Sequence, residues 1–244
     1  LAAGTQIHTS QDYLVQVYGV ESEVDSDLVR NPPDPLPAVY VLFTGQDTLV
    51  PAGAKEIAAL AKKTVGKEKN PYLQARMLLD ALTGMMTWSS SAIGTDPLQA
   101  LGSGKADSWD MAILYVALLR AAGIPANPVA GIVVDDSRQS WNHAWAEFYI
   151  YGLGWIPVDP ALYSGADVGL GQAPFTDRTR YFGSMDSRHV AFTRGVVQVD
   201  RMAPGGRTVT ASRRYSMQTI AEEASSGLVS YTSFWSDVEV TGLY

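Results

Sequence analysis

Three polar residues of this chain have the types and the order of a catalytic triad for acyl transfer. Ser108 opens an apolar helical segment, His143 follows 35 residues later in an alternating segment, and Asp159 follows after a further 16 residues. A nucleophile, a base and an acid that orients the base are the groups that attack on a carbonyl carbon requires. This is the order found in thiol acyl-transfer sites, yet the chain contains no cysteine.

Each of the three residues also has a purely structural interpretation. Serine is common at helix N-termini, where it caps free N–H groups, and aspartate before proline is an ordinary turn former. A single histidine on the polar face of a strand is commonly a half-exposed structural residue. The combination is more specific, because the Gly152–Gly154 turn would pair the strands that carry His143 and Asp159 and bring these side chains together.

The elements that would position these residues follow from the spacing of apolar residues. A 3.6-residue period predicts helices at 51–66, from Pro71 onward and at about 108–122, the last apolar nearly all round and therefore buried. Asp107 is predicted to cap this last helix, and Gly123 with Pro125 to end it. A two-residue period then predicts strands, at 129–134, 142–151, 155–159, 189–199 and 207–214. Helices followed by antiparallel strands indicate an α+β fold.

The remaining segments give weaker patterns. At the N-terminus the sequence predicts two strands, at 13–18 and 38–43, and near the C-terminus it predicts a helix at 217–224. Between the predicted helices it predicts a loop at Trp88 and a short turn at Asp96-Pro97. The predicted organisation is an N-terminal strand segment, a core domain and a C-terminal extension packed on the core, at 1–50, 51–200 and 201–244.

Several blocks of the sequence resemble the transglutaminase-like superfamily. The matching blocks are Gly104, Ser108-Trp109, Arg-Ala-Ala-Gly-Ile-Pro-Ala at 120–126, Gly131, His-Ala-Trp-Ala-Glu at 143–147 and Gly-Trp-Ile-Pro-Val-Asp-Pro at 154–160. The helices from 51 onward and the segment 188–192 look like those of bacterial members. The resemblance therefore covers about 50–200.

This resemblance implies a papain-like α+β fold and a Cys-His-Asp triad that cleaves an amide or passes its acyl group to an amine. Ser108 then holds the nucleophile position, His143 is the base and Asp159 is the orienting acid. Bacterial members with this compact core more often resemble proteases, which favours a peptidase. The expected partner is a peptide or protein substrate, or a polymer of the cell envelope.

Tryptophans are the candidate residues for the rest of the site. By analogy with the family, the backbone N–H of Ser108 would form part of an oxyanion hole, with Trp88 as a further donor. Trp109 and Trp145 are candidates for the substrate groove. Trp145 could equally be packed within a half-buried sheet, as could Trp155 and Tyr149 on the neighbouring strand segments.

The serine at position 108 departs from the family pattern and leaves the activity open. A hydroxyl is a far weaker acid than a thiol, so the thiolate–imidazolium pair on which such sites rely is lost. We expect little or no activity from this chain. Ser108 is either an engineered replacement, the mark of a natural inactive binding module, or the nucleophile of a serine enzyme. A scaffold whose N-terminal strands dock a partner is a further alternative.

Composition and charge limit which other functions and locations the chain can have. With a net charge of −7 and an isoelectric point near 4.9, the chain would repel a nucleic-acid backbone. No apolar stretch is long enough to span a bilayer. The three histidines, at 8, 143 and 189, show no paired metal spacing, and no cofactor is expected. The start at Leu1 indicates a removed upstream segment, and with the lack of cysteine it favours an extracytoplasmic location.

Overall fold

The structure, a computed structural model, describes residues 5, 10–47, 49–90, 96–171, 173–195, 207–211, 220–226, 229–234 and 238–244. Its helices are α1 (Ala38–Phe43), α2 (Lys55–Val65), α3 (Pro71–Met85), α4 (Pro97–Ser103), α5 (Ser108–Ala121) and α6 (Pro160–Ser164). Its strands are β1 (Thr87–Trp88), β2 (Lys105–Ala106), β3 (Ala126–Val134), β4 (Ser140–Ile150), β5 (Gly154–Val158), β6 (His189–Arg194), β7 (Arg207–Ala211), β8 (Ile220–Ser226) and β9 (Val229–Phe234). Short 3₁₀ turns lie at Ser26–Leu28 and Arg178–Tyr181.

The central helix α5 organises the core. Asp107 caps it as predicted: its carboxylate accepts hydrogen bonds from the backbone N–H groups of Trp109 at 2.9 Å and Asp110 at 3.0 Å. Every residue from Ser108 to Arg120 is buried. Because its surface is apolar nearly all round, the helix packs against α2 and α3 on one side and against the sheet on the other. The predicted helices α2, α3 and α5 are thus confirmed.

Four strands form the main antiparallel sheet, in the order β5-β4-β3-β6. A tight turn closes the β4–β5 hairpin, and both of its glycines, Gly152 and Gly154, have the positive φ that such a turn requires. In this register Ala146 pairs with Val158, so β5 ends before it reaches the level of His143. A separate three-stranded antiparallel sheet has the order β7-β8-β9. The α+β class is confirmed.

Gly131 allows β6 to approach β3 closely. Gly131 pairs with His143 on one side and with Ala191 on the other, next to an irregularity in the β3–β6 register. A Cβ atom at this position would stand 1.9 Å from the carbonyl oxygen of Val190, which leaves no room for any side chain. Close packing therefore explains why residue 131 is a glycine, and the residue it packs against, Val190, follows His189 in the chain.

The predicted N-terminal strands are wrong. The segment 38–43 is helix α1, because Tyr40 and Phe43, three residues apart, both face the β4–β5 hairpin. Their rings pack edge-on against Tyr149 at 6.2 Å and against Trp155 at 5.2 Å, respectively. Residues 13–18 form no strand, and the nearest pairing is an isolated bridge between Val20 and Met185. Short apolar runs fit either structure, and the neighbouring surface decides between them.

Three smaller predictions also need correction. The turn at Asp96-Pro97 begins helix α4, with Asp96 as its cap. Trp88, placed in a loop from the sequence, belongs to β1 and pairs in parallel with Ala106, next to the start of α5. The C-terminal helix is wrong where the structure describes it, because 220–226 is strand β8; residues 217–219 lie outside the described residues.

The ends of two further predictions also lie outside the described residues. The strand predicted at 189–199 is described as β6 up to Arg194, and the strand at 207–214 as β7 up to Ala211. Within the described part of the chain, no helix is both long and apolar enough to cross a membrane. The division into three segments at 50 and 200 stays a prediction.

Candidate active site

Ser108 is the first residue of α5 and lies against the sheet. Its side chain is buried, with the residue 3% exposed, and its Oγ accepts a hydrogen bond from the backbone N–H of Ala144 at 3.3 Å. That N–H is available because β5 has already ended at this level of the sheet. The hydroxyl of Ser108 therefore lies next to the residue that follows His143, at the positive end of a buried helix.

His143 and Asp159 form the closest polar contact of the site. The Nε2 atom of His143 lies 2.6 Å from Oδ2 of Asp159, and the two residues are 1% and 0% exposed. The other carboxylate oxygen of Asp159 accepts the N–H of Leu162 at 2.9 Å and so caps α6. The sequence predicted this proximity from the hairpin, and the structure places the two side chains together.

The contacts of Asp159 keep its carboxylate ionised and decide which ring nitrogen of His143 carries the hydrogen. Burial alone would raise the pKa of Asp159, but its contacts with His143 and with His189 outweigh burial and hold the pKa well below its usual range. An ionised carboxylate only accepts hydrogen bonds, so Nε2 of His143 carries the hydrogen. Nδ1 of His143 is then left as the acceptor when the ring is neutral. This buried Nδ1 has no hydrogen-bond partner among the described residues.

Sequence analysis did not assign His189 to the site. Its Nε2 lies 3.1 Å from Oδ2 of Asp159, and its Nδ1 lies 2.9 Å from Oδ1 of Asp186. The hydroxyl of Tyr181 donates to the other oxygen of Asp186 at 2.8 Å. The block 188–192 had been noted as family-like, and an aspartate three residues before its histidine was the available sequence signal.

The pKa of His189 is strongly perturbed. Burial lowers it, but the hydrogen bonds to Asp159 and Asp186 outweigh burial and raise it from 6.5 to about 9. Burial also raises the pKa of Tyr181, and the Asp186 carboxylate raises it further, so the phenol stays neutral and acts as a donor. The buried network therefore alternates carboxylates with ring N–H donors.

This network predicts a loss of stability at alkaline pH. The folded pKa of His189 lies above its unfolded value, so its contribution to the free energy of unfolding is complete below pH 6.5 and disappears as the pH rises through about 9. We expect the melting temperature to fall between pH 6.5 and pH 9, and to fall less in His189→Gln, which cannot titrate. Parallel curves for the two proteins in thermal scans would contradict the assignment.

The same side chains are the candidates for a metal site, and their geometry argues against one. Possible ligand atoms of His143, Asp159 and His189 lie within 4.8 Å of one another. Zinc bonds of about 2.0–2.1 Å in tetrahedral geometry keep ligand atoms roughly 3.3 Å apart. At 2.6 Å, Nε2 of His143 and Oδ2 of Asp159 are hydrogen-bonded to each other and leave no space for an ion.

A cavity of about 430 Å³ opens beside Ser108 and His143. Two of the predicted tryptophans, Trp88 and Trp109, line it together with Trp141, which sequence analysis did not single out. The cavity also reaches Ser90, Asp107, Asn142 and the loop residues Asp167, Val168 and Gly169. An open cavity beside a buried serine and a buried imidazole is the usual form of a binding site for a small part of a substrate.

Trp145 is packed within the sheet, the second of the two positions that the sequence left open. Its ring stacks on His143 at 6.1 Å and meets the edge of His189 at 5.1 Å, and it is not among the described residues that line the cavity. Trp145 therefore supports the imidazoles from within the protein. Trp141 takes the place on the cavity wall, where its indole packs against Gly169; a Cβ at Gly169 would lie 2.5 Å from the ring.

The fold and the site combine two features: a buried helix that begins with Ser108, and a hairpin that carries the His143–Asp159 pair next to it. The family model of the transglutaminase-like superfamily matches residues 58–160, which include Ser108, His143 and Asp159. Residues 58–160 therefore match a transglutaminase-like domain, and the resemblance stated from the motifs is confirmed. His189 lies beyond the matched segment.

Three individual proteins similar to this chain share only 21% to 30% sequence identity with it. An uncharacterized protein of Haemophilus influenzae is 30% identical over 125 residues, which are 41% of this chain and 34% of that protein. A candidate cysteine protease from Cytophaga hutchinsonii is 21% identical over 58% of this chain and 48% of its own, with a TM-score of 0.48. The periplasmic domain of TgpA from Pseudomonas aeruginosa is 23% identical over 55% and 49%, with a TM-score of 0.42.

The chain therefore spans about a third of the H. influenzae relative and about half of each solved structure.

Proposed function

We propose that this chain carries the acyl-transfer site of a transglutaminase-like peptidase or amide acyltransferase, with residue 108 at the nucleophile position. His143 would act as the base through Nδ1, and Asp159 would orient it through Nε2. The observation that carries the proposal is Nδ1 of His143, which has no hydrogen-bond partner among the described residues and is buried beside the cavity that Ser108 also lines. A buried ring nitrogen without a partner is rare in folded proteins and requires an explanation, of which a catalytic role is one.

The backbone supplies the remaining parts of the proposed site. The first N–H groups of a helix have no acceptor within the helix, so the N–H of Ser108 can stabilise an oxyanion. Trp88, held beside the helix start by the β1–β2 pair, is the candidate for a second donor. Trp109 and Trp141 offer apolar walls for a peptide, and the proposed substrate is a peptide or protein amide.

The serine itself favours a second candidate, a non-catalytic module that binds a peptide or cell-envelope polymer in the same cavity. Oγ of Ser108 is hydrogen-bonded to the Ala144 N–H, and Nδ1 of His143 receives no hydrogen bond from it. A hydroxyl has a shorter reach and a far higher pKa than a thiol, so base-assisted attack is weak. With serine in place, we propose that the chain binds its substrate with little or no turnover.

Restoring the thiol tests the proposed chemistry. We expect Ser108→Cys to react with iodoacetamide at pH 6 about tenfold faster than a free thiol of pKa ~8.5, since a thiolate paired with His143 is already formed. Adding His143→Ala should abolish the advantage. The measurement is the pseudo-first-order alkylation rate from mass spectrometry between pH 5 and pH 9.

The lack of cysteine in the chain provides a matched control. Ser137→Cys places a single thiol in an exposed turn and should show the ordinary pH dependence of a free thiol. If the thiol at 108 titrates like the thiol at 137, the acyl-transfer proposal fails and the binding module remains. Peptide cleavage or amine incorporation by Ser108→Cys then distinguishes a peptidase from an acyltransferase.

We propose an extracytoplasmic location on the lack of cysteine in the chain. Fractionation of cells that express the full-length gene product, with a cytoplasmic and a periplasmic marker, tests it directly. Recovery with the cytoplasmic marker would contradict the proposal.

A further inference from the structure

His189 occupies a position that only a charged imidazole satisfies. Both of its ring nitrogens face carboxylate oxygens, Nδ1 at 2.9 Å from Asp186 and Nε2 at 3.1 Å from Asp159. Ionised carboxylates have no hydrogen to give, so each of these contacts needs an N–H on the ring. His189, only 5% exposed, is therefore doubly protonated and positively charged.

Two carboxylates support this charge, one at each ring nitrogen of His189. Asp159 reaches it from the end of β5 and Asp186 from the segment before β6, and Tyr181 lies behind Asp186 with its hydroxyl donated to that carboxylate. From β4, the ring of His143 lies 5.6 Å away and that of Trp145 lies 5.1 Å away. The neighbouring Arg188 is turned outward to Asp136. One cation thus stands between two buried carboxylates.

We propose that His189 is a positioning residue for the site: its cation keeps Asp159 ionised, so that His143 holds its hydrogen at Nε2 and offers Nδ1 to residue 108. The inference rests on the proposed function, because it assigns a role within that site. His189 does not touch the cavity and acts only through Asp159.

The role of His189 follows from the protons and charges of the buried network. With His189 charged, Asp159 and Asp186 share one compensating cation, and Oδ2 of Asp159 accepts from both Nε2 atoms. Without that cation, two buried carboxylates remain, and such a pair takes up a proton. Asp186 keeps the Tyr181 hydroxyl and the Arg188 N–H as donors that stabilise its ionised form, so the proton binds on the side of Asp159 and His143. If the proton binds Asp159, that carboxyl donates to Nε2 and the hydrogen of His143 moves to Nδ1. If it binds His143, Nδ1 is protonated as well. In both cases Nδ1 no longer accepts a proton from residue 108.

Imidazole NMR on the intact chain tests this without any chemistry at residue 108. The chain has only three histidines, so the ¹⁵N-histidine spectrum can be assigned by substitution. At pH 7.5 we expect His189 to show hydrogen on both nitrogens, and His143 to show hydrogen at Nε2 and none at Nδ1. In His189→Gln, the Nδ1 of His143 should become protonated.

A double variant provides the matched rescue. His189→Gln combined with Asp186→Asn removes the cation and the second carboxylate together, which leaves Asp159 as the single carboxylate of this network. We expect His143 to return to the Nε2–H form in this protein, an outcome that a merely structural effect of the His189 substitution would not produce.

Two results would overturn the proposal: a neutral His189 at pH 7.5, or a His143 that keeps its Nε2–H form in His189→Gln. The first is measured on the unsubstituted chain and so does not depend on whether a variant folds. An unreactive thiol in Ser108→Cys would contradict the proposed function alone, because the imidazole spectra are recorded on proteins that keep Ser108.

Discussion

The Asp159→Ala variant is expected to lose about 3 to 5 kcal/mol in its free energy of unfolding at pH 7, the range found when one partner of a buried ion pair is removed. Three donors would lose their acceptor at once: Nε2 of His143, Nε2 of His189 and the backbone N–H of Leu162. Asp159 is fully buried, so water cannot replace the lost contacts. Urea denaturation followed by tryptophan fluorescence gives the measurement.

Asp177→Ala is the matched control for this loss. Asp177 also caps a helical turn through its side chain, but it is exposed and contacts no histidine in the described part of the chain. Removing an exposed cap costs about 1 kcal/mol. If the two variants were equally stable, the buried network around Asp159 would contribute nothing beyond capping, and the charge assignments above would be wrong.

Gly131→Ala should be nearly as damaging, with a loss of about 3 kcal/mol or more, at the upper end of the cost of overpacking. The added Cβ would lie 1.9 Å from the Val190 carbonyl oxygen and 2.9 Å from its carbon. These are backbone atoms, so no rotamer change relieves the contact, and β6 must move away from β3. Because β6 begins with His189, the shift should also weaken the His189–Asp159 contact and flatten the pH dependence of the melting temperature.

Gly84→Ala separates this effect from the general effect of adding a methyl group. Gly84 lies in the last turn of α3, and a Cβ there meets no atom within 4 Å. Alanine is the better helix former by about 1 kcal/mol, so this variant should be as stable as the parent or more stable. A Gly131→Ala protein with the stability of the parent would show that β3 and β6 are not in the close register described here.

The core of the fold was predictable from the sequence because its patterns were long. The fourteen residues of α5 carry an apolar surface on all sides, with a cap at Asp107 and a stop at Gly123. In β4, apolar residues recur at every second position from Ala144 to Ile150, and a glycine-rich turn follows the strand. The separation of His143 and Asp159 along the chain fits the register of the β4–β5 hairpin. Long periodic segments with clear ends leave few alternatives.

The N-terminal segment was not predictable for the opposite reason. A run of six apolar residues at 38–43 has no measurable period of its own, and its helical form depends on the aromatic surface that Tyr149 and Trp155 present to it. A neighbouring surface built from residues more than a hundred positions away is not encoded in the local pattern.

The site was predictable in its hairpin and helix, and not in its surroundings. Alternation places His143 and Trp145 on the same face of β4, but it does not say what covers that face. The structure covers it with Asp186 and His189, so Trp145 supports the imidazoles and Trp141 takes the cavity wall. Contacts between β4 and β6 join residues about 45 positions apart, and spacing alone gives no measure of them.

Because β5 ends early, the two parts of the candidate site, the His143–Asp159 pair and residue 108, are held by different elements. His143 and Asp159 are held by one hairpin and by each other, while residue 108 belongs to α5 and accepts a hydrogen bond from the Ala144 N–H that β5 leaves open. Four of the six serine codons become a cysteine codon through a single base change. Under the proposed function, one nucleotide change would therefore switch this scaffold between a silent and a reactive form without rebuilding the rest of the protein.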